Sequence, residues 1–185
     1  MKVSRILIVV DVQNDFIDGS LGSKEAKDII PKVKAKIDRH VDHGGVVIFT
    51  RDTHSDDSYL SSAEGKKLPI KHCIKGTTGW QIGLETIPGA YEVIDKSTFG
   101  YLPWQHVLDK YIYADIDNDN PKTIELCGLD TDICVIANAL IIKTLYPYPD
   151  VEITVDASCC AGSTTEKHKA ALEVMKSCQI NVIGE

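Results

Sequence analysis

The sequence predicts a single-domain α/β protein, with an open, parallel six-stranded sheet between helices on both faces. Two observations predict this three-layer arrangement. Short apolar runs rich in Val, Ile and Leu alternate with longer amphipathic stretches, which is the pattern of successive strand–helix–strand units. The 185 residues, with 43% hydrophobic content, also have the size of one globular domain. We therefore expect residues 1–185 to form one domain with right-handed crossovers.

The first half of the chain predicts three strands and one long helix. RILIVVDVQ, from Arg5, is a continuous apolar run typical of a strand covered on both faces. SKEAKDIIPKVKAKIDRHVDHG then carries apolar residues at three- and four-residue steps, which predicts an amphipathic helix stopped at Gly44. GVVIFTRD and YEVIDKS are predicted as the second and third strands. Between them, residues 53–89 are rich in Ser, Gly, Asp and Lys, and a connection of this length predicts a functional loop.

The second half predicts three more strands and three helices. PWQHVLDKYI is predicted as a helix with Pro103 in its first turn. TIELCGLD is the fourth strand, followed by an apolar helix from about Thr131 to Leu145. VEITVDAS and INVIGE complete the six strands. The helix between them is predicted to open with a capping box formed by Ser163 and Glu166.

The composition argues against several classes of function. A formal net charge of −7 disfavours binding to a phosphate backbone, so we expect no nucleic-acid partner. No apolar stretch reaches the ~18 residues that cross a bilayer, and no secretory signal pattern opens the sequence, so we expect no membrane partner. The six cysteines favour buried thiols over a disulfide framework, because several fall in or beside apolar runs. This predicts a reducing cytoplasm.

Charged residues stand where the first four predicted strands end. Asp11 ends the first strand, Asp52 the second, Asp95 and Lys96 the third, and Asp130 the fourth. In an open parallel sheet, ligands bind beyond the carboxyl ends of the strands, so we expect these groups to converge on one edge. A single acid at a strand end is as readily a simple terminator. The whole set, joined by a cysteine, favours a site.

Cys134 is the cysteine placed to react. It lies in the first turn of the helix after the fourth strand, at the same predicted edge. A helix N-terminus and a nearby lysine both favour an anion, so we predict a lowered thiol pKa and a nucleophilic thiolate. Backbone N–H groups of that turn are candidates for an oxyanion hole. The other five cysteines have ordinary structural interpretations.

Three motifs carry a family resemblance. LIVVDVQNDF, VIDKSTFGY and LCGLDTDICV, in this order and spacing, resemble the isochorismatase-like cysteine hydrolase superfamily, and within it nicotinamidases and related amidases. The resemblance covers essentially the whole chain and implies a Rossmann-like six-stranded parallel sheet with a Cys-Asp-Lys triad. True isochorismatases lack the cysteine nucleophile, so its presence here argues against their chemistry.

The resemblance implies a role for each matching residue. Cys134, Asp11 and Lys96 would form the triad, with Asp11 as general base and Lys96 lowering the thiol pKa. The family also has a cis peptide bond, which here would lie between Leu129 and Asp130. That bond would aim the backbone amides of Asp130 and Cys134 at the substrate oxygen as an oxyanion hole.

The long loop holds a second set of candidate ligands. RDTHSDD places Asp52 and His54 two residues apart, and PIKHC supplies His72, a set suited to zinc, iron or manganese. Alone, an Asp-x-His pair is more often part of a solvated loop than a pair of metal ligands. In nicotinamidases this position carries a metal that binds the pyridine nitrogen, so the resemblance implies a divalent metal here, with zinc favoured. Glu64 is a further candidate ligand. The second His that many nicotinamidases carry nearby is missing from SDDSYLSS.

These features predict an amidohydrolase acting on a small amide, with nicotinamide the preferred substrate and nicotinate and ammonia as products. Gln13, Phe16 and Tyr101 are predicted to line the substrate pocket, with strand-end or core packing as the alternative. The runner-up is a related hydrolase of an N-carbamoyl or ureido compound, without a metal. Two other classes rank lower. A nucleotide-binding module would need a glycine-rich turn where the chain has DVQNDFIDGS, and a thiol-sensing protein would not need Asp11 or Lys96.

The resemblance also implies an oligomer, since family members are commonly dimers or tetramers. The apolar helix VIANALIIKTLY suits a subunit interface as well as it suits the core.

Overall fold

The computed structural model describes residues 5–84, 91–113 and 122–185. Within these ranges, one parallel sheet contains six strands in the order β3-β2-β1-β4-β5-β6. The strands are β1 (Arg5–Val10), β2 (Val46–Asp52), β3 (Tyr91–Lys96), β4 (Lys122–Leu129), β5 (Val151–Ala161) and β6 (Asn181–Ile183). The fold class predicted from the sequence is confirmed. Residues 85–89 of the predicted functional loop, and residues 1–4 of the predicted domain, lie outside the described residues.

Helices connect the strands. In chain order they are α1 (Asn14–Ile17), α2 (Lys24–Asp42), α3 (Ala63–Lys67), α4 (Trp104–Ile112), α5 (Ile136–Leu145) and α6 (Thr165–Ser177), with a 3₁₀ turn at Tyr59–Ser61 and a π-helical turn at Thr131–Val135. No helix of the described residues is long and apolar enough to cross a membrane.

The central strands are buried because helices cover both faces of the sheet. Leu7, Ile8 and Val9 of β1 are inaccessible to solvent, as expected for an apolar run in a parallel sheet. Helix α2 turns its apolar stripe toward the sheet, and Ser23 begins it by accepting a hydrogen bond from the Ala26 amide at 3.0 Å. These contacts bury the predicted core.

Two helix starts differ from the prediction. The apolar helix predicted from Thr131 begins as the π-helical turn and continues as α5, which places Cys134 within the irregular turn. The capping box predicted at Ser163 and Glu166 is wrong by one residue. The N-cap of α6 is Thr164, because the Ser163 amide and hydroxyl both donate to Asp132, each at 2.7 Å. The tertiary contact with Asp132 thus keeps Ser163 from capping the helix.

Gly128 allows β4 to approach β1 closely at the site edge. Its φ of +122° is a conformation that side chains rarely adopt, and a Cβ there would lie 2.1 Å from the Val10 carbonyl oxygen. The glycine in the LCGLD motif is therefore required by packing, and it sets the position at which the chain turns toward Cys134.

Candidate active site

Three buried side chains from separate segments meet at the carboxyl edge of the sheet. The Lys96 Nζ atom lies 2.6 Å from the Asp11 carboxylate and 3.5 Å from the Cys134 Sγ. Asp11 is 0% exposed, Lys96 4% and Cys134 5%. Strand β2 lies between β1 and β3 in the sheet. The side chain at the end of β3 must therefore span the width of β2 to reach Asp11, and a lysine is long enough to do so. The structure brings the three predicted triad residues together.

Thr50 holds the Asp11 carboxylate in place. Its hydroxyl donates to Asp11 Oδ1 at 2.7 Å and accepts from the Asp11 amide at 3.2 Å. Both residues are inaccessible to solvent. The sequence offered one signal for this contact, which is a hydroxyl residue in an otherwise apolar part of the second predicted strand.

The expectation of a lowered thiol pKa is wrong. Burial raises the pKa of the Cys134 thiol, the Asp11 carboxylate raises it further, and the Lys96 ammonium only partly opposes them. Burial also raises the pKa of Asp11 despite the opposing effect of Lys96. Burial would lower the pKa of Lys96, but Asp11 and Cys134 raise it overall. At rest, the site therefore holds a neutral thiol whose sulfur accepts a hydrogen bond from the Lys96 ammonium group, next to the Asp11 carboxyl group.

The turn that carries Cys134 closes on Asp130. The amides of Ile133 and Val135 both donate to the Asp130 carbonyl at 3.1 Å. The peptide bond between Leu129 and Asp130 is cis, at the position that the family resemblance implied. This brings Asp130 to the wall of the cavity into which the thiol opens.

Asn138 ties this turn to the segment after β3, and the sequence interpretation missed it. Its amide group donates to the carbonyls of Cys134 at 2.8 Å and Phe99 at 3.1 Å. Its Oδ1 accepts from the Tyr101 amide at 2.9 Å and the Trp104 indole at 2.7 Å. The side chain is wholly buried with every hydrogen-bonding position engaged. An asparagine inside an apolar helix was the available signal.

The four candidate metal ligands form one cluster next to the triad. One ligand atom from each of Asp52, His54, Glu64 and His72 lies within 4.8 Å of all the others. The Asp52 carboxylate is 2.9 Å from His54 Nε2 and 3.5 Å from His72 Nε2, and it also lies 3.9 Å from Lys96 Nζ. Glu64 lies on the short helix α3 and faces both imidazoles, at 3.7 and 3.4 Å.

The chemistry of this cluster fits a cation. Among the described residues, no group forms a hydrogen bond of good geometry with the buried His54 Nε2, although the Asp52 carboxylate lies 2.9 Å away, so this nitrogen is free to bind a cation. Burial lowers the pKa of His72, yet Asp52 and Glu64 outweigh it and raise that pKa to about 10. The same negative potential favours a metal ion. The His72 Nδ1 contact with the Ile70 carbonyl at 2.9 Å orients Nε2 toward the cluster.

A cavity of about 410 Å³ joins the two clusters. Cys134 and Asp130 line it, together with Asp52, Glu64 and His72 of the metal cluster. Its volume suits a small organic substrate. Apolar contact comes from residues that include Phe16, Leu21, Leu68, Phe99 and Ile133, and Lys167 of α6 adds a cation.

The structure separates the three predicted pocket residues. Phe16 lines the cavity. The side chain of Gln13 instead hydrogen-bonds to backbone groups: it donates to the carbonyls of Asp52 and Trp80 and accepts from the Asp52 amide. Tyr101 packs edge-on against Trp104, with ring centroids 5.4 Å apart. For polar and aromatic residues near a strand end, the sequence left open whether they line the pocket or pack into the fold. Only the tertiary contacts distinguish the two.

Asp95 and Phe99 correct the prediction in opposite directions. Asp95 does not join the charged edge, because its side chain turns to the other face of β3 and pairs with Arg51 at 2.7 Å. Phe99, in the second of the three motifs, borders the cavity although the prediction omitted it. The alternation of a strand places neighbouring Asp95 and Lys96 on opposite faces, which explains why only Lys96 reaches the site.

A comparison with protein families decides the relationship. A model of the Isochorismatase domain matches residues 5–184. The chain belongs to the isochorismatase family. Among curated members with similar sequences, the nicotinamidase of Schizosaccharomyces pombe is 24% identical, and the alignment covers 100% of this chain and 95% of that protein.

Solved structures of related amidases share this family fold. The pyrazinamidase of Pyrococcus horikoshii, in complex with zinc, superposes with a TM-score of 0.80 at 25% identity, covering 98% of this chain and 99% of that one. The N-carbamoylsarcosine amidase of Thermoplasma acidophilum gives a TM-score of 0.73, also at 25% identity, covering 98% and 95% of the two chains. This isochorismatase-family protein is a hydrolase that acts on the carbon–nitrogen bonds of amides.

Proposed function

We propose that this protein is a cysteine-dependent amidohydrolase that converts nicotinamide to nicotinate and ammonia through a thioester. One observation carries the proposal. Cys134, which contacts the buried Lys96-Asp11 pair through Lys96, lines the same cavity as Asp52, Glu64 and His72 of the four-residue cation site, and this cavity is large enough for a small aromatic amide. The similarity to nicotinamidases supports the choice of substrate.

The first half of the reaction forms the thioester. Asp11 takes the proton of the Cys134 thiol, and the sulfur attacks the carboxamide carbon. The backbone amides of Asp130 and Cys134 hold the oxygen that becomes negative. Asp11 then returns the proton to the amide nitrogen, the carbon–nitrogen bond breaks, and ammonia leaves. Lys96 stays protonated throughout and offsets the negative charge that passes between sulfur and carboxylate.

The second half releases the acid. Asp11 takes a proton from a water molecule, whose oxygen attacks the thioester carbon. The carbon–sulfur bond breaks, the carboxylic acid leaves, and Asp11 returns a proton to Cys134. The raised pKa of Asp11 suits a group that must both accept and return a proton.

The cluster of Asp52, His54, Glu64 and His72 would hold a divalent cation, with zinc favoured and iron or manganese as alternatives. When bound, the cation supplies a Lewis acid that can hold a lone-pair donor such as a pyridine nitrogen. Phe16, at the cavity wall and 5.5 Å from the His72 ring centroid, would pack against the substrate ring.

The test is ammonia release from nicotinamide by the purified protein. We expect release by the wild type, and none from Cys134→Ala or from chelator-treated protein. If the wild type releases ammonia from N-carbamoyl or ureido compounds but not from nicotinamide, the triad mechanism stands and nicotinamide is wrong. Silence on both groups of amides would overturn the proposed function.

An N-carbamoyl or ureido compound is the second candidate substrate. The observation that favours it is the structural similarity to an N-carbamoylsarcosine amidase, at the same 25% identity as to the pyrazinamidase. Under this alternative the reaction at Cys134 is the same, and the cluster of Asp52, His54, Glu64 and His72 has no metal-binding role.

We also propose a cytoplasmic enzyme of pyridine nucleotide salvage that forms a homodimer or homotetramer. All six cysteines are unpaired, which supports a reducing compartment. Exposed apolar side chains such as Leu102 and Tyr148, 78% and 64% exposed, support an interface with a second copy. Sedimentation of the purified protein tests the oligomer.

A further inference from the structure

Asp130 places a carboxylate on the wall of the cavity that the proposed mechanism does not use. Its backbone amide is assigned to the oxyanion hole, but its side chain borders the same cavity as the Cys134 thiol. Among the residues that the structure describes, no donor forms a hydrogen bond to this carboxylate. Lys167, across the cavity edge, acts on it only through space.

The neighbouring aspartate shows what a structural carboxylate looks like in this turn. Asp132 accepts two hydrogen bonds from Ser163, from its amide and its hydroxyl, each at 2.7 Å. These bonds tie the Cys134 turn to the start of α6. Asp130 makes no comparable bond, so folding of the turn does not account for its carboxylate.

The surroundings of Asp130 are unfavourable for a lone anion. Burial raises the pKa of its carboxyl to about 7, and the charges of Asp132 and Asp11 add to the effect. A carboxylate in such a place is stabilised by any hydrogen-bond donor or cation that arrives in the cavity. The substrate is the molecule that enters there.

We propose that Asp130 is a specificity-determining residue that accepts a hydrogen bond from an N–H or ammonium group on the acyl part of the substrate. The position of that group follows from the chain. The amide of Asp130 faces the carbonyl oxygen in the proposed mechanism, and an aspartate side chain is short. The carboxylate therefore reaches only groups close to the scissile carbonyl, such as the atom directly bonded to it.

This inference rests on the proposed amide hydrolysis, but not on nicotinamide as the substrate. A ureido compound carries an N–H on the atom next to the scissile carbonyl and satisfies Asp130. A plain pyridine ring carries a carbon there and leaves the carboxylate without a partner. The inference thus ranks donor-bearing acyl groups above otherwise similar ones, because an unpaired acceptor that the bound substrate shields from water opposes binding of the analogue that lacks the donor.

A matched pair of substrates isolates the contact. N-carbamoylglycine and succinamic acid differ by one N–H in place of a methylene next to the scissile carbonyl. The experiment measures kcat/KM for both, and for nicotinamide, with the wild type, Asp130→Ala, Asp130→Glu and Asp132→Asn. Taking the ratio of the pair within each variant cancels effects on the backbone amide, since both substrates use it.

We expect Asp130→Ala to lower the ratio of N-carbamoylglycine to succinamic acid by about tenfold or more, and Asp130→Glu to keep part of it. Asp132→Asn should change both substrates by the same factor, because it loosens the turn without touching the acyl group. A ratio that stays within twofold in Asp130→Ala, with the wild type active on any of the amides, would overturn the role of Asp130 alone. A wild type inactive on all three would overturn the proposed function and this role with it.

Discussion

The Lys96 Nζ atom lies 2.6 Å from the Asp11 carboxylate, and both side chains are excluded from solvent. Such a pair is stable only while both members are present, because each charge offsets the burial of the other. The pair also fixes the resting protonation of the site, with the thiol neutral and the lysine charged. Asp11, the proposed catalytic base, is therefore a structural element as well.

The first prediction concerns the stability of this pair. Lys96→Met leaves the Asp11 charge buried and alone, so we expect the free energy of unfolding to fall by roughly 3–5 kcal/mol. The double variant Lys96→Met/Asp11→Asn removes both charges and should recover much of that loss. Urea denaturation at neutral pH measures both. A single variant that loses less than about 1 kcal/mol would show that Asp11 holds no buried, unpaired charge once Lys96 is removed.

The second prediction concerns the reactivity of the thiol. The Asp11 carboxylate is the second-largest cause of the raised pKa of Cys134, after burial, while Lys96 acts in the opposite direction. Asp11→Asn removes the raising charge and leaves Lys96 to pair with a thiolate. We expect this variant to lose hydrolysis, yet to be alkylated by iodoacetamide at pH 7 faster than the wild type.

The control for alkylation is the exposed Cys178, which is replaced by serine in both proteins so that only buried thiols are counted. Mass spectrometry of the peptide containing Cys134 gives the rate. If Asp11→Asn is alkylated more slowly than the wild type, the carboxylate lowers rather than raises the thiol pKa, and the resting state described above is wrong.

The sequence predicts the parts of this site that depend on strand order. Apolar runs that end in Asp11, Asp52 and Lys96 become parallel strands, and parallel strands bring their carboxyl ends to one edge. What the sequence could not give is the direction of each side chain within that edge. Gln13 turned inward to backbone groups, and Tyr101 turned to Trp104, because of contacts with segments far away in the chain.

The predicted lowering of the Cys134 thiol pKa was wrong for a related reason. A cysteine at a helix start next to a lysine predicts a thiolate only when the thiol is near solvent. Cys134 is 5% exposed, and the Lys96 ammonium group beside it pairs with the Asp11 carboxylate at 2.6 Å. Burial depends on the packing of the whole domain, which residue spacing does not report.

The third prediction concerns the cation site. We expect about one zinc, iron or manganese ion per chain in protein purified without chelator, held by the cluster that includes His54 and His72. His72→Ala should weaken binding by at least about a hundredfold, since loss of even a supporting contact costs ten- to a hundredfold. His40→Ala removes an imidazole outside the cluster and should leave the metal content unchanged. Equal metal content in the two variants would contradict the site.

The fourth prediction concerns an ion-pair network far from the active site. Lys36 of α2 bridges Glu125 at 2.5 Å and Asp156 at 2.7 Å, and all three side chains are mostly buried. Lys36→Met should lower the free energy of unfolding by roughly 1–3 kcal/mol, between the values for exposed and buried pairs. The same substitution of Lys34, whose pair with Asp38 is half exposed, should cost less than about 1 kcal/mol.

The pH dependence of this network has a definite sign. Burial would raise the pKa of Asp156, but hydrogen bonds from Lys36 and Ser158 lower it below its ordinary value of 3.8. Its contribution to stability is therefore complete above about pH 4 and is lost as the pH falls through the lower folded-state pKa. Unfolding curves from pH 6 to pH 2 should show a smaller acid loss in Lys36→Met than in the wild type. Parallel losses would place the acid-sensitive groups elsewhere.

The fifth prediction concerns Asn138, which joins the turn that carries Cys134 to the cavity wall. Asn138→Leu has a similar volume but removes four buried hydrogen bonds and leaves the Trp104 indole and the Cys134 carbonyl without this partner. We expect a loss of at least about 2–4 kcal/mol in unfolding free energy, because unsatisfied buried groups keep their full desolvation penalty.

The activity of Asn138→Leu tests whether its hydrogen bonds also position the site. Because Asn138 holds both the Cys134 carbonyl and the Phe99 carbonyl, we expect kcat to fall and KM to rise together at a temperature where the variant is folded. Asn181→Leu is the matched control, since that asparagine is exposed on the edge strand β6 and, within the described part of the chain, its side chain donates a hydrogen bond only to Glu152. It should leave kcat and KM within twofold of the wild type. If Asn138→Leu lost stability but kept both kinetic constants, its hydrogen bonds would support the fold without positioning the nucleophile.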